Sequence, residues 1–218
     1  MHEDGRLGDV VVLPGWIAHM ESIISSGVEE FRRLFQLRSD ILDLVKRTIA
    51  GVLEVGEIIG EVALVGVHVR RRDYIPYLED KFGKNSSLVT PDYYKRAMEK
   101  MRTLRSNTYV IFFIVSDDRE WCMKELVNES DGVFWGGMEG SPFHAPSETQ
   151  NTYMQSSHDF ALLASLNDSI IGYGTYAVSA ALLAGGHTIA FDLYKAGLTD
   201  ELNIYTIGEH LDNWEYMT

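Results

Sequence analysis

Apolar positions along the chain change their period near residue 60. Before that point Ile41, Leu44, Val45, Thr48, Ile49 and Val52 recur at helical spacing behind Ser39, predicting an amphipathic helix with Ser39 as N-cap; Ser22 to Leu34 predicts a second. Beyond it, continuous apolar runs alternate with helical patterns. Val62 to Val69 (VALVGVHV) reads as a strand buried on both faces and is followed by a charged loop. Thr90-Pro91-Asp92 signals a helix start, with a capping hydroxyl, a first-turn proline and a carboxylate at the positive end of the dipole. Tyr94, Ala97, Met98, Met101 and Leu104 form the face of that helix. Thr108 to Val115 (TYVIFFIV) is the strongest strand signal, and Asp117 with Glu120 resembles a capping box ahead of a helix carrying Cys122, Met123, Leu126 and Val127. The order repeats with a strand at Gly132 to Trp135, a helix at Ser157 to Leu166, a strand at Ser169 to Ile171, a helix at Thr175 to Ala184 and a strand at Thr188 to Phe191. Such alternation predicts an α/β fold, a Rossmann-like, doubly wound parallel sheet with right-handed crossovers over residues 61–218, preceded by a helical remnant over 1–60. The longest loop, polar and turn-rich, runs from Gly136 to Ser156.

Composition narrows what such a domain can bind. A length of 218 residues suits one large core or a core with an appendage, and 45% hydrophobic content with 11% aromatics excludes long disordered tracts. The net charge of −13 argues against nucleic acid or an anionic membrane surface as partner, so any bound anion must meet a local basic spot. The single cysteine, Cys122, forms no internal disulfide and leaves no Cys-rich zinc site; His144, His158 and His187 lack a second ligand at helical spacing, so no metal is expected. The apolar stretches Val62 to Val67 and Ala177 to Ala184 fall short of the roughly 20 residues of a membrane helix. The charged opening MHEDGRLGDV predicts neither signal peptide nor anchor in this chain.

In an open parallel sheet, ligands bind beyond the carboxyl ends of the strands. The residues there are His68 with Arg70-Arg71-Arg72-Asp73, then Ser116-Asp117, Gly136-Gly137, Gly172-Tyr173-Gly174-Thr175 and Asp192. Three consecutive arginines in an acidic chain suit bidentate phosphate recognition, and glycines leading into a helix expose amides and a dipole to the same kind of anion. Together they point to a diphosphate. Plainer readings stand beside this one: a solvated arginine turn paired with Asp73, Asp117 as a helix cap, turn glycines at 172 and 174, and Asp159 as a carboxylate favoured near a helix start.

At these residues the chain resembles the galactoside α-1,2-fucosyltransferases, glycosyltransferase family 11. Val65-Gly66-Val67-His68-Val69-Arg70-Arg71-Arg72-Asp73-Tyr74 is similar to that family's His-x-Arg-Arg-x-Asp motif. Phe112 to Asp117 followed by Glu120-Trp121-Cys122 is similar to a second block. A third runs from Met138-Glu139-Gly140-Ser141-Pro142 through Asp159-Phe160-Ala161-Leu162-Leu163, Asn167, Ile170 and Gly174-Thr175-Tyr176 to Leu183-Ala184-Gly185-Gly186. Val11 to Trp16 and Phe31 to Leu53 resemble the segment ahead of the arginine motif.

The resemblance implies the nucleotide-sugar half of a GT-B glycosyltransferase. Its donor would be GDP-β-L-fucose, used without a metal or other cofactor and with inversion, and its acceptor the 2-hydroxyl of a galactose-terminated glycan. Catalytic roles fall to Arg70, Arg71 and Asp73, with both arginines on the phosphates. His68 and Asp73 would shape the loop, Ser116, Asp117 and Asp159 would lie by the nucleoside, and Gly174, Thr175 and Tyr176 would cradle the diphosphate. The resemblance implies a setting in the Golgi lumen with a membrane anchor, which is not expected within these residues. Sequons at Asn85, Asn128 and Asn167 are usable in such a compartment.

Departures from the family pattern are Arg72 in place of glycine, a longer segment over Phe143 to Ser157, and the absence of the anchor, the Gly-x-Leu-Gly-Asn-Gln motif and most of the acceptor half. The expectation is therefore an inverting fucosyltransferase or its donor domain, against a module that binds GDP-fucose without completing transfer. A nucleotide-dependent dehydrogenase ranks third, since no Gly-x-Gly-x-x-Gly follows the first strand.

Overall fold

The computed structural model describes residues 20–83, 89–139, 152–172, 174–193, 195 and 211–218. Its elements in chain order are α1 (Met20–Leu34), α2 (Ser39–Val55), β1 (Val62–Val69), α3 (Tyr74–Phe82), α4 (Pro91–Leu104), β2 (Tyr109–Ser116), α5 (Arg119–Glu125), a 3-10 turn (Glu129–Asp131), β3 (Val133–Trp135), α6 (Thr152–Ser165), β4 (Asp168–Ile171), α7 (Thr175–Ala184), β5 (Thr188–Phe191) and β6 (Trp214–Met217). The six strands form one sheet in the order β3-β2-β1-β4-β5-β6, and every neighbouring pair is parallel. This is the Rossmann-like α/β sheet that the alternation of strands and helices predicts.

The sheet is buried on both faces because its central strands carry apolar side chains at successive positions. Phe112 and Ile114 pack with α3, α4 and α5 through Leu78, Tyr94, Met98, Met101 and Cys122. Ile111, Phe113 and Val115 point the other way, against α2 and α6 through Ile41, Val45, Val52, Leu162 and Leu163. Helix α2 thus shares the core of the sheet: of the stripe read from the sequence, Ile41, Val45, Thr48 and Val52 are buried and Leu44 and Ile49 partly so. Gly66 lets α6 lie close on β1: a Cβ there would stand 2.9 Å from Leu163 Cδ2. Burying even one leucine or phenylalanine side chain stabilises by about 1.5–3 kcal/mol, so the all-apolar β2 is a large contributor.

Several local expectations are corrected. The charged loop after β1 is partly helix α3, whose Pro76 lies in the first turn, where no intrahelical amide bond is lost. Strand β6, which the sequence pattern does not predict, has only four residues. Helix α6 begins at Thr152, inside the expected loop. Arg38, not Ser39, occupies the N-cap of α2 and binds Asp40 rather than the backbone. Thr90 stands at the N-cap of α4 without a side-chain capping bond. Asp118, not Asp117, caps α5 by accepting from Trp121 N at 3.3 Å. That leaves Asp117 for another task.

Candidate active site

The chain leaves β1 toward β2 on one side and returns from β3 to β4 on the other, so the carboxyl ends of β1 and β4 flank the topological switch point. A cavity of about 440 Å³ opens there, within the range of small-molecule sites. His68, Arg70, Ser116, Asp117, Asp159, Gly174, Thr175 and Tyr176 all line it, joined by Tyr74, Val115 and Ser156. Arg71 and Asp73 are not among its walls. Tyr173 and residues 140–151, with Gly140-Ser141-Pro142 and His144, lie outside the described residues, as do Asn85 and the segment Val11 to Trp16.

Asp117 shapes the arginine loop from across the β1–β2 boundary. Its Oδ1 accepts from Arg71 N at 2.9 Å and its Oδ2 from Arg72 N at 3.0 Å, so one carboxylate satisfies two successive amides of the turn leaving β1. The same Oδ2 lies 3.7 Å from Arg70 Nη1. Arg70 also pairs with Asp73, and with 36% of its side chain exposed it reaches the cavity. Arg71 turns elsewhere: its Nε donates to Asp118 Oδ2 at 3.1 Å and its guanidinium stacks 3.8 Å above the Trp121 ring. Adjacent arginines thus face opposite ways. The expected placement of both on one anion becomes one arginine at the cavity and one bracing α5, because the turn at Asp117 separates their directions. Asp73 lies outside the cavity wall and pairs with Arg70, which lines it.

His68 closes the end of β1. It is 5% exposed, its ring lies 5.4 Å from that of Tyr176, and its Nδ1 has no hydrogen-bond partner among the described residues. Burial, together with the neighbouring Arg70 charge, pushes its pKa down to about 3, so the ring is neutral at physiological pH. A buried imidazole nitrogen with nothing to bind is costly unless a ligand supplies the partner. Gly174, with φ of 94°, turns the chain into α7, and the first-turn amides of that helix have no intrahelical acceptors. The Tyr176 hydroxyl donates to Ser156 O at 2.8 Å, and burial raises its pKa.

Asp159 is held from two directions. Its Oδ1 accepts from Met138 N at 2.8 Å and lies 2.8 Å from His158 Nδ1; His158 Nε2 in turn lies 2.9 Å from Thr48 Oγ1 on α2. His158 and Thr48 are both fully buried. The sequence singled out Asp159, yet it gave no sign that His158 and Thr48 set its carboxylate; their separation of 110 positions hides the contact. Cys122 is buried among apolar side chains, and burial pushes its thiol up to about 12, so it is no nucleophile. Among the described residues no three His, Cys, Asp or Glu side chains gather as they would around a metal, and no helix is long and apolar enough to cross a membrane.

Comparison with known proteins places the chain among glycosyltransferases. Rat galactoside α-(1,2)-fucosyltransferase 1 is 32% identical over 164 residues, covering 74% of this chain and 39% of that protein. Mouse galactoside α-(1,2)-fucosyltransferase 2 is 38% identical over 144 residues, covering 65% of this chain and 36% of that protein. The chain therefore spans little more than a third of the length of these relatives. Among solved structures, NodZ α-1,6-fucosyltransferase soaked with GDP-fucose superposes with a TM-score of 0.44 at 20% identity, over 78% of this chain and 49% of that one. The glycosyl transferase family 11 model matches residues 14–218, which include both walls of the switch-point cavity, and the chain belongs to that family.

Proposed function

We propose that the switch-point cavity binds GDP-β-L-fucose and that the domain serves fucosyl transfer, with inversion, to the 2-hydroxyl of a terminal β-galactoside. The observation that carries this reading is the convergence of the Arg70 guanidinium, the neutral His68 with its unpartnered Nδ1 and the N-terminal turn of α7 on one cavity. With His68 in the tautomer that carries its proton on Nδ1, such a set donates to oxygen from three sides and suits a diphosphate. Arg70 and the α7 amides take the place of a metal in this proposal. As the bond from the anomeric carbon to the phosphate oxygen breaks, its electron pair leaves with GDP. Donors aimed at those oxygens stabilise the departing charge, while the acceptor oxygen bonds to the opposite face of the carbon and yields its proton to a base. Asp159, fixed by Met138 and His158, is suited to accept from the N–H edge of a guanine. Asp117 and Ser116 then support the loop beside the nucleoside rather than read it: Ser116 Oγ accepts from Asp118 N at 2.9 Å. A Golgi-lumen setting belongs to the same reading.

Calorimetric titration with GDP-fucose, GDP and GDP-mannose, each with and without EDTA, tests it. The expected result is GDP binding unaffected by chelator. Abolition by EDTA and recovery with manganese would overturn the account of the diphosphate site.

A further inference from the structure

The switch-point cavity carries little positive charge for the anion assigned to it. Among the described residues that line it Arg70 is the one cation, since His68 is neutral and Arg71 is turned onto Trp121. A diphosphate presents several non-bridging oxygens, so neutral donors are needed beside Arg70 and the α7 amides. Tyr74, the first residue of α3, brings a hydroxyl to the same wall. Its place is set by the turn that holds Arg70. Asp117 binds the amides of Arg71 and Arg72, and Ile75 N donates to Arg71 O at 3.0 Å, so the backbone is tied on both sides of the tyrosine. The half-buried ring lies 5.2 Å from that of Tyr77 and packs on the Phe112 side of the core. Its hydroxyl reaches the opposite wall: a Cβ on Gly174 would stand 3.8 Å from Tyr74 Oη, at the point where the chain turns into α7.

We infer that Tyr74 is a ligand of the diphosphate, its hydroxyl donating to an oxygen held at the start of α7, an assignment that rests on the donor reading above. The phenol oxygen and the first-turn amides of α7 address the same end of the cavity, and an aromatic ring anchored in the core with its polar tip on a wall suits that task. Burial raises the Tyr74 pKa to about 12, with Tyr77 and Asp73 adding to the rise and Arg70 opposing it. The hydroxyl therefore keeps its proton at neutral pH and can donate it. Tyr93 shows the structural use of the same side chain: it is fully buried, lies outside the cavity wall, and its hydroxyl donates to Ile171 O at 2.8 Å.

Calorimetric titration of the full chain with GDP and with inorganic pyrophosphate tests the assignment, in wild type, Tyr74→Phe, Tyr77→Phe and Arg70→Ala. Tyr74→Phe keeps the ring and its packing, so its urea midpoint should match wild type while its affinity for both probes falls about fivefold, the size of one net hydrogen bond. Tyr77→Phe, which removes a hydroxyl outside the cavity wall, should leave both affinities unchanged. Full affinity in Tyr74→Phe beside a loss in Arg70→Ala would overturn the role of Tyr74 and leave the donor reading standing. A loss for GDP with pyrophosphate affinity untouched would also overturn it, by placing the hydroxyl away from the phosphates. A chain that binds pyrophosphate through Tyr74 but fails to bind GDP would support the tyrosine while removing the donor reading, and one that binds neither would overturn both.

Discussion

Arginine–carboxylate clusters occupy both ends of the sheet, and they behave differently. At the amino end, Arg105 grips the buried Asp168 with two bonds of 2.8 and 2.6 Å, and His187 N completes the carboxylate at 2.8 Å. Beside it Glu215 on β6 joins Lys100 and His187; although burial opposes ionisation, those two partners hold its carboxyl below the ordinary range. These bonds tie β4, β5 and β6 to the end of α4. At the carboxyl end Asp117 is equally occupied, yet Arg70 stands beside a cavity, His68 keeps a buried nitrogen without a partner among the described residues, and α7 presents its first turn. Charge is therefore a poor marker of function by itself. A cluster that completes its own bonding stabilises, whereas one left incomplete around a cavity can bind.

The contrast is sharpest in the loss of a single arginine at each end. Arg105→Ala should lower the unfolding free energy by roughly 3 kcal/mol, near the low end for stranding a buried charge because Arg105 itself is 42% exposed. Urea titration should show this with GDP affinity intact; a parallel fall in affinity would mean that the two ends are coupled.

Arg70→Ala should do the reverse, weakening GDP by about 1.5–3 kcal/mol in calorimetry with little change in the urea midpoint, since its partner Asp73 is exposed. Arg71→Ala should cost about 1 kcal/mol of stability through the lost Trp121 stack and Asp118 pair, with a smaller effect on binding. Equal binding losses at both would contradict their opposite orientations.

His68 supplies a pH signature. Its folded-state pKa of about 3 lies below the ordinary histidine value, so between the two only the unfolded chain takes up the proton. Its contribution favours folding fully above about pH 6.5 and is lost as pH falls toward 3, at up to about 1.4 kcal/mol per pH unit. His68→Gln should remove about 2 kcal/mol of the stability difference between pH 6.5 and 5, read from paired urea curves. Lower still, the depressed carboxyl of Glu215 works in the same direction, its contribution fading as pH drops through its folded-state value.

The smallest effect belongs to Arg72→Gly. Only the backbone amide of Arg72 binds Asp117, and that amide survives the substitution, so stability and GDP affinity should both stay within about 0.5 kcal/mol. A loss as large as that of Arg70→Ala would restore the idea of three arginines acting as one diffuse cluster.

Much of this was legible before any coordinates. Long apolar runs such as Val62 to Val69 and Thr108 to Val115 permit little but buried parallel strands, and residues directly after strands are constrained by the chain to the sheet's carboxyl edge. His68, Arg70, Ser116, Asp117, Gly174 and Thr175 fall together for that reason, whereas Tyr176 and Asp159 rest on the family resemblance. Elements lacking a periodic signal escaped: α3 mixes charge with a proline, and β6 has four residues whose pairing with β5 is settled by a distant partner.

Local pattern thus determined the α/β class, the position of the strands and the set of residues at one edge, because periodicity and chain connectivity are properties of neighbouring positions. Tertiary structure alone decided which way each charged side chain turns. Asp117 reaches the amides of Arg71 and Arg72 across more than forty positions, His158 meets Thr48 across 110, and Phe35 joins Phe160 and Tyr176 only after α2 docks on α6. A hydrogen bond or a ring contact depends on distances of a few ångströms between segments far apart in sequence, and spacing along the chain carries no information about those distances until the core has packed.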